Sequence, residues 1–227
     1  RVDAWRGEPH GREDQPLAWR RPEVLDPAVF PAADVPIINA LRLPAEYLIA
    51  PAPGGDRDGW LARLERAMQR GVRLVQLRAP GLAQAELLAL YREAQALTRA
   101  HGARLLLNGT PEQAQAVSAD GLHLSSMRLR ALERRPALAG WLGASCHDAA
   151  ELAHACRIGV DFAVLGPVLP TASHPGAPTL GWSGLQALTE QATLPVYALG
   201  GLRRTDLETA WRHGAQGIAA IRGLWDD

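Results

Sequence analysis

The sequence predicts an α/β protein, a (β/α)₈ TIM barrel that lacks a full eighth helix and follows an amino-terminal segment of a different kind. After residue 45, eight short apolar runs rich in Val and Leu are typical of the interior strands of a parallel sheet. Between these runs lie segments whose apolar residues recur with the period of a helix. The eighth run ends only a few residues before Asp227, so we expect the closing helix to be absent or replaced.

Each predicted strand is followed along the chain by a predicted helix. The predicted strands span residues 46–51, 73–78, 103–108, 121–125, 141–146, 161–166, 195–200 and 217–222. The predicted helices span residues 60–70, 83–99, 111–118, 128–134, 149–156, 183–191 and 205–212, and several end at a glycine, as helix C-caps do. This alternation predicts a closed barrel. A doubly wound open sheet is the alternative, although the loop at 51–56 lacks the dinucleotide-binding fingerprint.

Residues 1–44 are rich in Trp, Pro and charged side chains and do not follow this pattern. Strands at 2–6 and 17–20 and a short helix at 37–41 can be predicted, but they do not make a complete fold. A segment of about 44 residues cannot bury a hydrophobic core by itself. We therefore expect two units, residues 1–44 and residues 45–227.

Composition excludes several classes of function. The 24 basic and 24 acidic residues give a formal net charge of zero, and no dense Lys/Arg cluster predicts a nucleic-acid partner. No apolar run has the length of a membrane span, so no membrane association is expected. Without a signal peptide, and with only Cys146 and Cys156, the chain is predicted to be cytoplasmic.

Candidate functional residues lie at the carboxyl ends of the predicted strands, where barrels of this class carry their sites. The candidates for ligand binding are Gln76, Arg78, Asn108, Ser145, Thr171, Ser173, His174, Gly200, Gly201, Arg222 and Gly223, and the candidate catalytic residue is His147. Amides, hydroxyls, arginines and backbone N–H groups without a carboxylate suit a small phosphorylated metabolite. A metal site would need several converging carboxylates or imidazoles, so we expect no metal and no cofactor.

The order and spacing of these strand ends resemble the thiamin-phosphate synthase/TenI family over residues 46–224. The matching segments are VQLR, LLLNG, ADGLHLSS, GASCHD, VLGPVLPTASH, VYALGG and GAQGIAAI. The resemblance implies a barrel that binds a thiazole phosphate. His123, inside a predicted strand, is expected to be a core residue.

Departures from the synthase pattern bear on the activity. The resemblance implies that a synthase uses an Asp after the third-strand Asn, a second Asp after the fourth strand, and two lysines. Here those positions read Gly109, Met127, Pro80 and His174. Loss of metal-assisted charge stabilisation removes several kcal/mol from a transition state. Synthase activity is therefore not expected.

The TenI branch of the family is a better match to these residues. The resemblance to this branch implies a metal-independent proton shift that makes a carboxy-thiazole phosphate aromatic. That branch uses a His just after the fifth strand for the proton shift. His147 occupies that position, and an imidazole can both take and return a proton near neutral pH. The alternative is that His147 only caps the following helix or bonds a loop carbonyl.

Residues 1–44 resemble the carboxyl-terminal part of MutT-type Nudix pyrophosphohydrolases. The segments WRGEPHGREDQPLAW and FPAADVPIINAL carry the resemblance, with Asp34 where that family has an Asn that contacts an oxidised guanine base. The glutamate-rich Nudix box is not in these residues, so we expect no hydrolysis by this segment and expect a Nudix domain upstream. The alternative is that residues 1–44 are an amino-terminal extension that packs on the neighbouring domain.

Three hypotheses remain open from the sequence. In the first, the barrel is a thiazole phosphate tautomerase. In the second, it is a non-catalytic module that binds a phosphorylated metabolite or stabilises a Nudix domain. In the third, it is part of a nucleotide (8-oxo-dGTP) pyrophosphohydrolase whose catalytic residues lie elsewhere. A homodimer is a possible partner arrangement, because barrels of this kind often dimerise.

Overall fold

The structure, a computed structural model, describes residues 4–171, 176 and 178–225. Eight parallel strands form a closed barrel in sequence order, and β8 pairs with β1. The strands are β1 (Glu46–Pro51), β2 (Leu74–Arg78), β3 (Arg104–Asn108), β4 (Gly121–Leu124), β5 (Trp141–Cys146), β6 (Phe162–Leu165), β7 (Val196–Leu199) and β8 (Gly217–Ala220). The predicted barrel is confirmed, and the open-sheet alternative is wrong.

Helices surround the barrel, and most lie where the sequence predicts them. The helices are α1 (Val35–Arg42), α2 (Arg57–Gln69), α3 (Gln84–Ala100), α4 (Pro111–Ala116), α5 (Ser126–Arg130), α6 (Ala149–Ile158), α7 (Gly181–Thr189), α8 (Leu207–Arg212) and α9 (Arg222–Trp225). The helix predicted at 128–134 is wrong at both ends. The observed helix α5 starts earlier because Ser125, a residue predicted to end a strand, caps it. The Ser125 hydroxyl accepts a hydrogen bond from the Arg128 N–H.

Side chains fill the interior of the barrel, so the strands enclose a packed core and not a pore. Its centre holds Tyr47, Phe162 and Tyr197, all completely buried, with Phe162 edge-on to both tyrosine rings. A glycine makes room for this cluster, because a Cβ on Gly143 would lie 2.5 Å from the Phe162 ring. A second apolar core lies between the strands and the helices.

Only a four-residue helix, α9, follows β8 among the described residues, as predicted. Trp225 in α9 is buried against Trp60 of α2, with ring centroids 5.5 Å apart. The short helix therefore packs against β1 and α2.

The segment before β1 ends in α1, which confirms the short helix predicted at 37–41. Ile38 is buried, and the Gln216 side chain donates hydrogen bonds to the carbonyls of Ala40 and Leu43, which seats α1 under the amino ends of the strands. The strands predicted at 2–6 and 17–20 are wrong over residues 4–6 and 17–20, which form no strand. A strand needs a neighbour for its backbone groups, and the described residues pair no second strand with either segment.

Across the described part of the chain, no helix combines the length and the apolar character that crossing a membrane requires.

Candidate active site

A cavity of about 1060 Å³ opens at the carboxyl ends of the strands. Ten of the twelve residues predicted from the sequence line it: Gln76, Arg78, Asn108, Ser145, His147, Thr171, Gly200, Gly201, Arg222 and Gly223. The other two, Ser173 and His174, lie outside the described residues. The structure thus brings the predicted residues together in one place, and their roles in binding and catalysis stay predictions.

The cavity is basic. Four arginines line it: Arg78, Arg128, Arg203 and Arg222. No Asp or Glu is among the described lining residues, so the local charge favours an anionic ligand. Sequence reasoning missed Arg128 and Arg203. Both arginines come shortly after a predicted strand, and this position could have identified them because such residues lie at the carboxyl ends of the barrel strands.

Glycines let the backbone form one wall of the cavity. Gly200 and Gly201 follow β7 with φ of 109° and 68°, a region that favours glycine. A Cβ on Gly200 would lie 2.7 Å from the Pro167 Cα, and one on Gly223 would lie 2.3 Å from the Leu202 carbonyl oxygen. A Cβ at either position would collide with neighbouring protein atoms, so only glycine fits at these close approaches within the cavity wall.

His147 lies at the rim of the cavity, directly after β5, with 56 % of its side chain exposed. Its Nδ1 is 3.0 Å from Oε2 of Glu151, a carboxylate that is only 8 % exposed. The same oxygen accepts a hydrogen bond from the His147 backbone N–H at 2.9 Å. A carboxylate only accepts hydrogen bonds, so Nδ1 carries a proton and Nε2 of the neutral ring is a base.

Glu151 is a further residue that sequence reasoning missed. It lies four positions after His147 in the sequence, a spacing that brings side chains together at the start of a helix. Asp148, and not His147, caps α6 by accepting a hydrogen bond from the Glu151 N–H. The catalytic role of His147 stays a prediction. Arg130 lies 3.5 Å from the other carboxylate oxygen of Glu151.

His123 is completely buried below the cavity, which confirms the prediction of a core residue. Its Nδ1 is 3.1 Å from the Tyr47 hydroxyl, and its Nε2 is 2.8 Å from the hydroxyl of Ser145, a lining residue. Burial, with a contribution from the nearby Arg78 charge, lowers the pKa of His123 to about 3. The ring is therefore neutral at ordinary pH and carries one N–H.

Cys146 also lines the cavity, but its environment disfavours a thiolate. Burial, together with the nearby Glu151 carboxylate, raises the pKa of the thiol to about 12. Because nucleophilic chemistry at cysteine requires the thiolate, Cys146 does not suit that role at neutral pH.

The described lining residues do not fit Mg²⁺, the ion that the synthase branch would use. Magnesium prefers carboxylate and other oxygen ligands, and the described residues hold no cluster of three His, Cys, Asp or Glu side chains. Met127, the position matched to a synthase Asp, is 68 % exposed and does not line the cavity, whereas the neighbouring Arg128 does. A guanidinium repels a metal ion at this point.

Fold and cavity together define a (β/α)₈ barrel with a basic, glycine-walled cavity at the carboxyl ends of its strands. Residues 46–224 match the sequence profile of the thiamine monophosphate synthase (TMP-TENI) family. The chain belongs to this family.

Similarity to individual proteins agrees with this assignment. A putative thiamine-phosphate synthase of Geobacter sulfurreducens is 40 % identical over 177 residues, which are 76 % of this chain and 82 % of that protein. Putative thiamine-phosphate synthase 2 of Aquifex aeolicus is 37 % identical over 165 residues, 72 % of this chain and 89 % of that protein. The thiamine phosphate pyrophosphorylase structure from Pyrococcus furiosus superposes with a TM-score of 0.64 at 24 % identity, covering 78 % of this chain and 85 % of that one, and supports the fold.

Proposed function

We propose that the barrel is a metal-independent isomerase of thiamine metabolism, a tautomerase that acts on a thiazole phosphate bearing a carboxylate. The observation that carries the proposal is the pairing of His147 with the buried Glu151 at the rim of an arginine-lined cavity. This arrangement provides a base and an anion site, and the reaction needs both.

The proton shift requires a single group that takes a proton and returns it. Nε2 of His147 would remove a proton from a carbon of the non-aromatic ring, and the imidazolium would return it at another atom of the same ligand. No electron is gained or lost, and the product is an isomer. Glu151 holds Nδ1–H and stabilises the positive charge of the intermediate imidazolium.

Arginines and main-chain groups would hold the ligand during this transfer. Arg78, Arg128, Arg203 and Arg222 can pair with phosphate or carboxylate oxygens. Backbone N–H groups at Gly200 and Gly201, which line the cavity, would contact a phosphate. A ligand with two anionic groups suits this lining.

Thiamine-phosphate synthase activity, which the names of the relatives suggest, is less well supported for this chain. The described lining has no carboxylate to hold a metal ion, and Arg128 faces the cavity near the matched position. We therefore derive no step through Mg²⁺.

Two measurements test the tautomerase proposal. Calorimetric titration with the thiazole phosphate carboxylate, without and with Mg²⁺, should give similar micromolar binding in both conditions. In an aromatisation assay, His147→Ala should lower kcat by about 100- to 10,000-fold while binding is retained. His101→Ala, a histidine outside the cavity, is the matched control. Full activity of His147→Ala would refute the assigned base.

A second candidate is a non-catalytic barrel attached to a Nudix-type unit, with residues 1–44 as the remnant of that unit and 45–227 as the barrel. The supporting observation is that most of the exposed large apolar side chains are in the first 41 residues, such as Trp19 at 75 % and Val29 at 75 % exposed. Helix α1 nevertheless packs on the barrel. Absence of thiazole phosphate binding in both titrations would favour this candidate, and sedimentation of the chain would test the proposed homodimer.

A further inference from the structure

Five hydrogen bonds form a continuous chain through the barrel interior, and both ends of the chain line the cavity. Arg128 Nη1 lies 3.4 Å from Asn108 Oδ1, and Asn108 Nδ2 lies 2.8 Å from Gln76 Oε1. Gln76 Nε2 is 3.2 Å from the Tyr47 hydroxyl, which is 3.1 Å from His123 Nδ1. His123 Nε2 closes the chain at 2.8 Å from the Ser145 hydroxyl. We define these six residues as the interior chain.

Most members of the interior chain could donate in either direction. An amide, a phenol and a neutral imidazole each carry a donor and an acceptor, so the whole run could be reversed without losing a bond. Arg128 breaks this equivalence because a guanidinium only donates. In the reversed chain the Asn108 amide group would turn its N–H towards the Arg128 N–H, and two donors would face each other.

We propose that Arg128 sets the direction of the interior chain, and that Tyr47 and His123 are positioning residues that fix the Ser145 hydroxyl as a hydrogen-bond donor into the cavity. Asn108 then donates to Gln76, Gln76 to Tyr47, Tyr47 to His123 Nδ1, and His123 Nε2–H to Ser145. Since the Ser145 oxygen already accepts this bond, its own proton points to another acceptor. An anionic ligand supplies that acceptor.

Burial makes the direction matter. Tyr47 and His123 are completely buried and Gln76 is 1 % exposed, so water does not offer these groups replacement bonds. Burial also raises the pKa of the Tyr47 hydroxyl, which therefore keeps its proton. A single reversed member would leave a donor facing a donor, and the chain consequently adopts one direction as a unit.

The direction has a consequence for ligand binding, which rests on the function proposed above. A hydroxyl that donates stabilises a phosphate or carboxylate oxygen, whereas one whose proton is used by His123 offers only lone pairs to the ligand. The direction itself is a property of the ligand-free protein and can be measured without any ligand.

The tautomer of His123 reports the direction and can be read by ¹⁵N NMR of the ring nitrogens in protein labelled at histidine. The His123 signals can be assigned through contacts of its ring with Tyr47 and Phe162. Wild-type protein should show the Nε2–H tautomer. The Nδ1–H tautomer in the wild type would overturn the proposal at once.

An isosteric variant should reverse the chain. In Asn108→Asp the carboxylate only accepts, so Gln76 must donate to it, Tyr47 must donate to Gln76, and His123 must carry its proton on Nδ1. Gln115→Glu, the same kind of change on the exposed side of α4, is the matched control and should keep Nε2–H. A folded Asn108→Asp variant that keeps Nε2–H would contradict the proposal.

Binding of the thiazole phosphate carboxylate tests the consequence for Ser145. Ser145→Ala should weaken binding about tenfold in the wild-type background and leave it unchanged in the Asn108→Asp background. Equal losses in the two backgrounds would overturn the assigned donor. A tautomer that switches as expected in a protein that never binds this ligand would support the interior chain and refute the proposed function.

Discussion

The two ends of the barrel carry opposite arrangements of charge. At the amino ends of the strands, three carboxylates each pair with an arginine: Glu46 with Arg204, Asp120 with Arg99 and Asp161 with Arg135. At the carboxyl ends, four arginines line a cavity with no described carboxylate in its wall. The amino ends of the strands, which we call the lower end of the barrel, thus carry paired carboxylates. The carboxyl ends, which we call the upper end, carry a cavity lined by arginines.

We infer from this difference which charges serve the fold and which would serve a ligand. Asp120 and Asp161 also accept hydrogen bonds from the backbone N–H groups of Leu105 and Leu142, at the start of neighbouring strands. These carboxylates hold strand ends together. Among the described lining residues, no such carboxylate lies beside the arginines of the upper end, and we infer that a bound anion balances them. Stability should therefore depend on the lower end and ligand affinity on the upper end.

Removing charge from the upper end should have the largest effect. We expect the double variant Arg78→Met, Arg222→Met to bind the thiazole phosphate carboxylate about 100-fold more weakly, a loss of about 2.7 kcal/mol, because each arginine can make a charge-assisted bond. The matched control is Arg99→Met, Arg135→Met at the lower end, which should leave the affinity unchanged. Calorimetry measures the affinity of both double variants. Equal losses of affinity in the two would contradict the distinction between the two ends.

Removing a carboxylate from the lower end should affect stability instead. Asp161→Ala leaves the Leu142 N–H and the Arg135 guanidinium without this acceptor. We expect a loss of about 2 kcal/mol in the free energy of unfolding, measured in urea, with ligand affinity unchanged. Glu190→Ala on the exposed end of α7 should cost less than about 0.5 kcal/mol. If Asp161→Ala weakened ligand binding and left the free energy of unfolding unchanged, the lower end would serve the ligand and not the fold, contrary to this expectation.

His123, between the two ends, should make stability depend on pH. Its pKa is lowered in the folded protein to about 3, so the unfolded chain binds a proton as the pH falls below about 6.5 while the folded chain does not. Acidification therefore favours unfolding by about 1.4 kcal/mol per pH unit from this group alone. In His123→Gln the slope of unfolding free energy against pH should be shallower by this amount. Equal slopes in wild type and variant would show that His123 is protonated in the folded state.

Local patterns were sufficient to predict the barrel. The strand at 141–146 was predicted with the observed bounds, because a buried parallel strand is a short apolar run whatever its neighbours are. The candidate residues meet in one cavity because all eight strands end at the same side of the barrel. The strand predicted at 17–20 failed because a strand depends on a partner that its own residues do not reveal.

The missed residues share one property, which is that their importance lies in what they contact. Glu151 looked like an ordinary residue of an amphipathic helix until the structure placed its carboxylate on His147. Arg128 follows Met127, and only the start of α5 decides that the arginine and not the methionine enters the cavity. A helix rotates each successive side chain by about 100°, so an error of one residue in its start changes which side chain faces a site.

The sequence by itself determined the (β/α)₈ fold, the end of the barrel that carries the candidate site, and the absence of acidic residues at the synthase positions Gly109 and Met127. These follow from local composition and from the geometry common to all parallel barrels. Only the tertiary structure decided how the site is supported, from the Glu151 carboxylate on His147 to the interior chain that joins Arg128 to Ser145. The interior chain joins residues of five different strands and one helix. Whether such distant segments form hydrogen bonds depends on differences of a few tenths of an ångström in donor–acceptor distance, which no sequence pattern encodes.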